Sequence, residues 1–168
     1  MEYIDGGTLS RLLQNQAATG KLFELSFITN AYMQLAEGMN AISKTLVHRD
    51  IKPDNILVHN DKLKITDFGL SKYAADSTRT LTLKGYGTLE YVAPEAWESD
   101  KNTVQMDIYS MGIVFYQIAT LQYPYRLSAF PDANAYRDAH LYQRAQNPPI
   151  HNPNIPQGLV SIILRMLE

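Results

Sequence analysis

The chain has 168 residues, of which 45% are hydrophobic and 19% are charged, and its formal net charge is −2. This length allows one domain with a real core, and the absence of cysteine excludes disulfides and thiolate metal sites. The charge balance gives no reason to expect nucleic acid or an anionic membrane as a partner, and no apolar run approaches the roughly 18 residues of a membrane span. The N-terminal residues do not resemble a signal peptide, so we expect a cytoplasmic protein.

Two helices are predicted in the first quarter of the chain. Thr8 follows a Gly-Gly turn and is a typical N-cap residue, and the helix after it carries apolar residues on one face, namely Leu9, Leu12 and Leu13. The second helix is predicted to start at Ser26 and to run to about Lys44. Its apolar residues recur at spacings near three and four and are expected in the core: Phe27, Ile28, Leu35, Met39 and Ile42. Gly38 inside this helix suggests close packing.

A β-hairpin is predicted next. The apolar runs Ile56 to Val58 and Leu63 to Ile65 are separated by the polar tract His59 to Lys62, which contains Asn and Asp. Short apolar runs on either side of such turn residues are typical of a strand, a turn and a second strand. The hairpin therefore brings the loop before it and the loop after it to the same end.

Those two loops carry four polar side chains that suit phosphoryl transfer. This chemistry needs a base to orient a hydroxyl, oxygen ligands for Mg²⁺ and cations near the transferring phosphoryl group. Asp50 is the candidate base, Asn55 and Asp67 are the candidate metal ligands, and Lys52 is the candidate phosphate cation. The alternative is an ordinary polar hairpin at the protein surface.

Three motifs in the same region occur in a fixed order. The chain reads H-R-D-I-K-P-D-N from His48 to Asn55, D-F-G from Asp67 to Gly69 and A-P-E from Ala93 to Glu95. In this combination it resembles a eukaryotic-type protein kinase. The resemblance implies a mainly α fold, the helical large C-terminal lobe with a small catalytic-loop β-hairpin, which uses ATP and Mg²⁺ and acts on a protein substrate. It also implies that His48 packs against Phe68 and is not a general base.

The resemblance extends to the expected adenine site. The first residues look like the hinge between the two lobes of a kinase, with Met1 at the gatekeeper position. The carbonyl of Glu2 and the amide of Ile4 then match the positions that pair with adenine, and Leu57 resembles the residue that forms the floor under the base.

The stretch from Asp67 to Glu95 resembles an activation segment. It contains candidate phosphorylation sites at Thr78, Thr80 and Thr82. Arg49 and Lys72 are placed where such kinases pair cations with a phosphate, as charge physics favours. We therefore expect phosphorylation at Thr80 or Thr82, by an upstream kinase or by autophosphorylation, to order this segment.

The sequence G-T-L-E-Y-V-A-P-E resembles the G-T-x-x-Y-x-A-P-E of serine/threonine kinases. Thr88 then matches the threonine whose hydroxyl bridges the catalytic aspartate and lysine, here Asp50 and Lys52. The lysine two residues after Asp50 also favours serine/threonine over tyrosine specificity.

Three helices are predicted in the last third of the chain, at Asp107 to Leu121, Ala135 to Ala145 and Gln157 to Leu167. The first is apolar on most sides and is expected to be buried. By the resemblance, Asp107 anchors the backbone of the catalytic loop. The remaining histidines show no metal-ligand spacing and are expected at the surface: His59, His140 and His151.

The resemblance covers residues 1–168 as a partial kinase domain, from the hinge to the penultimate helices, with no second domain. No glycine-rich loop or strand lysine of a small N-terminal lobe is found, and the arginine that pairs with the A-P-E glutamate is not seen for Glu95. The expected function is ATP-dependent phosphorylation of serine or threonine on proteins in signal transduction, with this chain as the catalytic-lobe part, inactive alone. The alternative is a non-catalytic kinase-fold docking or scaffold module.

Overall fold

The computed structural model describes residues 6–68, 72–73, 88–98 and 103–168. The helices in these ranges are α1 (Leu9–Ala18), α2 (Leu25–Ile42), α3 (Pro94–Glu98), α4 (Val104–Thr120), α5 (Ala133–Tyr142) and α6 (Gln157–Met166). The strands are β1 (Gly7–Thr8), β2 (Leu46–Val47), β3 (Ile56–His59), β4 (Lys62–Ile65) and β5 (Lys72–Tyr73). The predicted mainly α fold with a small hairpin is confirmed. None of the helices in the described ranges is long and apolar enough to cross a membrane.

The hairpin β3–β4 is the centre of a sheet with the order β1-β3-β4, in which each neighbouring pair is antiparallel. Its turn uses the left-handed residues Asn60 and Asp61, with φ of 47° and 61°. The side chain of Gln34 from α2 fastens this turn, because its Nε2 donates to Asp61 O at 2.8 Å and its Oε1 accepts from Leu63 N at 2.9 Å. The second helix therefore fixes the hairpin that supports both polar loops.

Helices α1 and α2 pack as their apolar spacing predicts. The side chain of Thr8 accepts a hydrogen bond from Arg11 N at 3.3 Å, which confirms it as an N-cap, and Leu9 is fully buried. Helix α2 starts at Leu25 and not at Ser26, with Glu24 as the cap position. Its core residues are Ile28, Leu35 and Met39, while Phe27 and Ile42 are partly buried against the core.

The long helix α4 is buried along most of its length. Tyr32 of α2 stacks on Phe115 with ring centroids 3.9 Å apart, and its hydroxyl donates to the Phe115 carbonyl. The helix ends where Leu121 adopts a left-handed conformation, with φ of 56°. This helix begins three residues before Asp107, so that carboxylate lies in its first turn and next to the catalytic loop.

Two helical glycines should respond differently to alanine. A Cβ on Gly112 of α4 would lie 2.8 Å from Met166 Cβ and 3.1 Å from Leu167 Cδ2, so α4 and α6 would have to separate. A Cβ on Gly38 of α2 would lie 3.3 Å from Ile65 Cδ1, the mobile end of a side chain. Both changes gain about 1 kcal/mol of helix propensity, but overpacking costs about 1–3 kcal/mol. We expect Gly112→Ala to be the less stable variant by at least about 1 kcal/mol in urea unfolding; equal stabilities would contradict the tight α4–α6 contact.

Helix α5 lies two to three residues earlier than predicted. It begins at Ala133, because the side chain of Asp132 accepts from Ala135 N at 2.8 Å and so caps the helix. It ends at Tyr142, where the sequence pattern predicted Ala145. Aspartate is a preferred N-cap residue, so the sequence itself carries a signal for this start.

Candidate active site

Asp107 holds the backbone of the catalytic loop, which is the stretch from His48 to Asn55. This side chain is 1% exposed, and its two carboxylate oxygens accept from the backbone N–H groups of His48 at 2.6 Å and Arg49 at 2.8 Å. Burial raises the pKa of Asp107, while the two backbone hydrogen bonds lower it. Arg49 has a φ of 71°, a left-handed conformation that a non-glycine residue adopts at a cost of about 1–3 kcal/mol. The aspartate therefore fixes a strained turn directly before Asp50.

One carboxylate oxygen of Asp50 is fully engaged by the two polar residues predicted to share its site. Its Oδ2 forms an ion pair with Lys52 Nζ at 2.9 Å and accepts from Asn55 Nδ2 at 2.8 Å. The same Nδ2 also donates to Asp50 O at 2.8 Å. Within the described residues, no protein group donates to Oδ1. The carboxylate is thus oriented through one oxygen and can present the other to a substrate.

Asn55 is also oriented as an oxygen donor. Its side chain belongs to a residue that is 7% exposed, and both hydrogens of its Nδ2 are directed to Asp50. Its Oδ1 therefore remains as an acceptor, with no donor among the described side chains. Asn55 precedes β3 directly, because a short 3-10 turn over Pro53–Asn55 ends there.

Asp67 is brought to the same end of the hairpin. Residues Ile56 and Ile65 are paired in register, and Thr66 N donates to Asn55 O at 2.8 Å. Asp67 follows with a left-handed φ of 63° and is exposed. An amide oxygen and a carboxylate are the hard oxygen donors that Mg²⁺ takes, usually together with water and substrate phosphates. The donor set therefore fits the predicted magnesium ion.

His48 connects the two loops and does not face the reaction site. It is 0% exposed, its Nε2 lies 3.0 Å from Thr66 O, and its Nδ1 lies 3.4 Å from Asp50 N. The ring also packs against Phe68 with centroids 5.0 Å apart and planes tilted by 53°. Its nitrogens thus face backbone groups of both loops, in agreement with a packing role under D-F-G.

Thr88 and Asp50 both line a cavity of about 20 Å³, which has room for about one water. Thr88 itself is exposed. In the described part of the chain, the side chain of Asp50 contacts Lys52 and Asn55 and not Thr88. The bridge from the Thr88 hydroxyl to Asp50 and Lys52 therefore stays a prediction. The two segments therefore line the same small space.

Of the other predicted site residues, Leu57 lies within the described ranges and several lie outside them. Leu57 is half-buried and pairs with Thr8 across β1 and β3, which places the expected adenine floor beside the end of the hinge. The remaining predictions fall on residues outside the described ranges: Met1, Glu2, Ile4, Gly69, Thr78, Thr80 and Thr82. The side chain of Lys72 also lies outside them, although its backbone belongs to β5.

The prediction that His140 lies at the surface is wrong. This residue is 4% exposed, because α5 packs against α3 and against the turn Leu89–Tyr91. Its neighbours are aromatic: Trp97, Tyr109, Tyr123 and Tyr125. Burial lowers the pKa of His140 to about 4 and outweighs the hydrogen bond with Leu89, which raises it. The sequence contained one usable signal, the closely spaced pair Tyr123 and Tyr125 after a buried helix, but nothing in it linked that pair to a histidine 15 residues further on.

The family model for the protein kinase domain matches residues 1–168, and the chain belongs to this family. A probable serine/threonine-protein kinase of Clostridium acetobutylicum is 39% identical over 170 residues, which cover 100% of this chain and 25% of that protein. The serine/threonine-protein kinase PrkC of Bacillus subtilis is 32% identical over 168 residues, covering 98% of this chain and 25% of PrkC. The chain thus spans about a quarter of the length of these relatives.

Proposed function

We propose that this chain is the catalytic-lobe part of a protein that phosphorylates serine or threonine hydroxyls on other proteins with ATP. The observation that carries the proposal is the Asp50 carboxylate, whose Oδ2 is held by Lys52 at 2.9 Å and by Asn55 at 2.8 Å while no donor among the described residues contacts Oδ1. A base fixed through one oxygen can align a hydroxyl with the other. Asp67 and the free amide oxygen of Asn55 lie at the same end of the hairpin.

In this function Asp50 orients the substrate hydroxyl and receives its proton at Oδ1 as the oxygen is phosphorylated. Lys52 is close enough to Asp50 to place its positive charge near the transferred group, which favours a transition state with charge on its phosphoryl oxygens. Thr88, on the other side of the small cavity, would close the constellation by bridging Asp50 and Lys52. The lysine and the threonine together favour serine/threonine over tyrosine substrates.

ATP with Mg²⁺ supplies the phosphoryl group in this proposal. Asn55 Oδ1 and Asp67 would hold the metal, Leu57 would lie under the adenine, and the backbone of Glu2 and Ile4, after Met1, would pair with its edge. Positioning provides most of the catalysis in phosphoryl transfer, so a nucleotide bound to this half of a cleft alone would react poorly. We therefore expect the chain by itself to be inactive, and the active protein to be a longer cytoplasmic kinase with a small lobe.

The proposed partners are a protein substrate and a kinase that phosphorylates Thr80 or Thr82, either an upstream enzyme or a second molecule of the same one. A phosphate there would meet Arg49, the residue directly before Asp50.

A comparison of two proteins tests this function. The chain of 168 residues and the product of the complete open reading frame that contains it are each incubated with radiolabelled ATP, Mg²⁺ and a general protein substrate such as casein or myelin basic protein. We expect transfer to serine or threonine by the longer product and none above background by the chain alone. Nucleotide binding by calorimetry accompanies both assays.

The alternative, a non-catalytic docking module, predicts a different result. A complete product that neither binds Mg-ATP nor transfers phosphate, even after treatment with an active upstream kinase, would contradict the proposed enzyme. Transfer by the longer product to tyrosine alone would contradict the serine/threonine assignment and the proposed part of Thr88 in it.

A further inference from the structure

The turn directly after Thr88 is held by its backbone carbonyls. Residues Leu89–Tyr91 form a 3-10 turn, and the carbonyls of Leu89, Glu90 and Tyr91 each lie within hydrogen-bond distance of a side chain from another element. The partners, in that order, are His140 Nε2 at 3.0 Å, Tyr123 Oη at 2.8 Å and Ser110 Oγ at 2.6 Å. Glu90 is held a second time, because Tyr136 Oη donates to its carboxylate at 2.9 Å. We call Leu89, Glu90 and Tyr91 with these partners the carbonyl clamp.

The protons on His140 and on its tyrosine partners have only one consistent arrangement. Leu89 O can only accept, so His140 Nε2 must carry a hydrogen. Tyr123 gives its single hydrogen to Glu90 O and can accept from the same Nε2, 3.2 Å away. Because burial lowers the pKa of His140 to about 4, the ring is neutral at pH 7 and its Nδ1 is an acceptor.

That assignment extends to a second pair of tyrosines. Tyr109 Oη lies 2.8 Å from His140 Nδ1 and must donate to it, so Tyr109 can only accept from Tyr125 Oη at 2.6 Å. Hydrogen bonds therefore run in one direction from Tyr125 through Tyr109 and His140 to Leu89 O. A satisfied buried network of this kind favours one local geometry, whereas a partly satisfied one is costly.

We propose that His140 is a positioning residue, which together with Tyr123 holds the Leu89–Tyr91 turn by its carbonyls and thereby sets Thr88 against Asp50. Thr88 immediately precedes the clamped turn and lines the small cavity that Asp50 also lines. Helix α5 would thus control the substrate side of the site without touching the reacting atoms. This inference rests on the proposed function, because Thr88 and Asp50 matter together only if the site transfers phosphate to a hydroxyl.

The clamp can be tested without any enzyme assay. Nitrogen-15 NMR of the chain labelled at histidine should show His140 at pH 7 as a neutral ring with hydrogen on Nε2, and it should remain neutral down to about pH 5, below the ordinary His pKa of about 6.5. The neighbouring titratable groups are Glu90, Tyr109, Tyr123 and Tyr125. A hydrogen on Nδ1, or titration near pH 6.5, would overturn the proton arrangement and with it the clamp.

Amide hydrogen exchange then tests the hold on the turn. Tyr91 N donates to Thr88 O at 3.0 Å, so its exchange rate reports opening of the turn. Tyr123→Phe removes one donor and should raise this rate about fivefold, and His140→Phe, which removes more of the network, should raise it about tenfold or more. Tyr142→Phe is the matched control, because Tyr142 lies on α5 like His140 but is 73% exposed. This substitution should change the exchange rate less than about twofold. If Tyr123→Phe behaves like Tyr142→Phe, the clamp does not hold the turn, whether or not His140→Phe folds.

Steady-state kinetics of the complete kinase separate positioning from folding. Tyr123→Phe should lower kcat/KM for a protein substrate about fivefold, since Thr88 would no longer be held against Asp50, and leave the KM for ATP unchanged. Equal changes in both constants, or in neither, would overturn the positioning role. If the unmodified enzyme transfers no phosphate, the proposed function fails, while the NMR and exchange results still decide whether the clamp exists.

Discussion

Replacing Asp107 with alanine is expected to remove about 4 kcal/mol from the free energy of unfolding, a large part of the 5–15 kcal/mol typical of a domain. The carboxylate is 1% exposed and accepts from the N–H groups of His48 and Arg49. With alanine both donors are left buried and unpaired, at about 1–3 kcal/mol each. The left-handed turn at Arg49 would also lose the contact that holds it in place.

Asparagine at the same position should cost about half as much as alanine. It retains one acceptor oxygen for one of the two backbone N–H groups. Its NH₂ group faces the other N–H, and two donors cannot form a hydrogen bond. Its neutral side chain also avoids part of the desolvation that raises the pKa of Asp107. The expected order of stability is therefore wild type, Asp107→Asn and Asp107→Ala.

Urea unfolding followed by circular dichroism measures this series, and Asp132→Ala is the matched control. Asp132 also accepts one backbone hydrogen bond at a helix, but it is exposed at the start of α5, so its loss should cost only about 1 kcal/mol. If Asp107→Ala and Asp132→Ala are equally stable, the buried carboxylate does not support the catalytic loop in the way described.

The parts of the site that lie close in sequence could be predicted, because short-range rules determine them. The hairpin turn, the cap at Thr8 and the loops carrying Asp50 and Asp67 follow from turn residues, capping and apolar spacing. The β3–β4 register then brings Asn55 and Thr66 together, and Asp67 follows. The glycine inside α2 also indicated close packing at Gly38, although not that its neighbour is Ile65.

The carbonyl clamp could not be predicted in this way. His140 reaches Leu89 across 51 positions and Tyr109 across 31, and no local pattern records such a distance. Histidine is intermediate in its tendency to be buried, and the polar residues around His140 in α5 favoured exposure. The packing of α5 against α3 and against the turn Leu89–Tyr91 buries it. The polar interior of this lobe is therefore a tertiary property, and a functional role for it can be inferred only from the structure.

Replacing Asp50 with asparagine is expected to lower kcat of the complete kinase by about 10²–10⁴-fold, the range for loss of a general base. The amide can still contact Lys52 or Asn55, but it has no negative charge to accept the hydroxyl proton or to pair with the lysine. The hydrogen bond from the Asn55 side chain reaches the backbone carbonyl of Asp50 and not its side chain. Because the substitution leaves this bond in place, the loop should keep its shape. The melting temperature and the KM for ATP should therefore change little.

Asp54→Asn is the matched control for this change. Asp54 lies four residues further along the same loop and is exposed, and it loses the same charge in the same substitution. Its kcat should remain within about twofold of the wild-type value, as for a surface substitution away from special features. Initial rates of phosphate transfer at saturating ATP and protein substrate measure both variants. An Asp50→Asn enzyme that retains more than a third of the wild-type kcat would show that another group accepts the proton, and the ion pair with Lys52 would then be structural only.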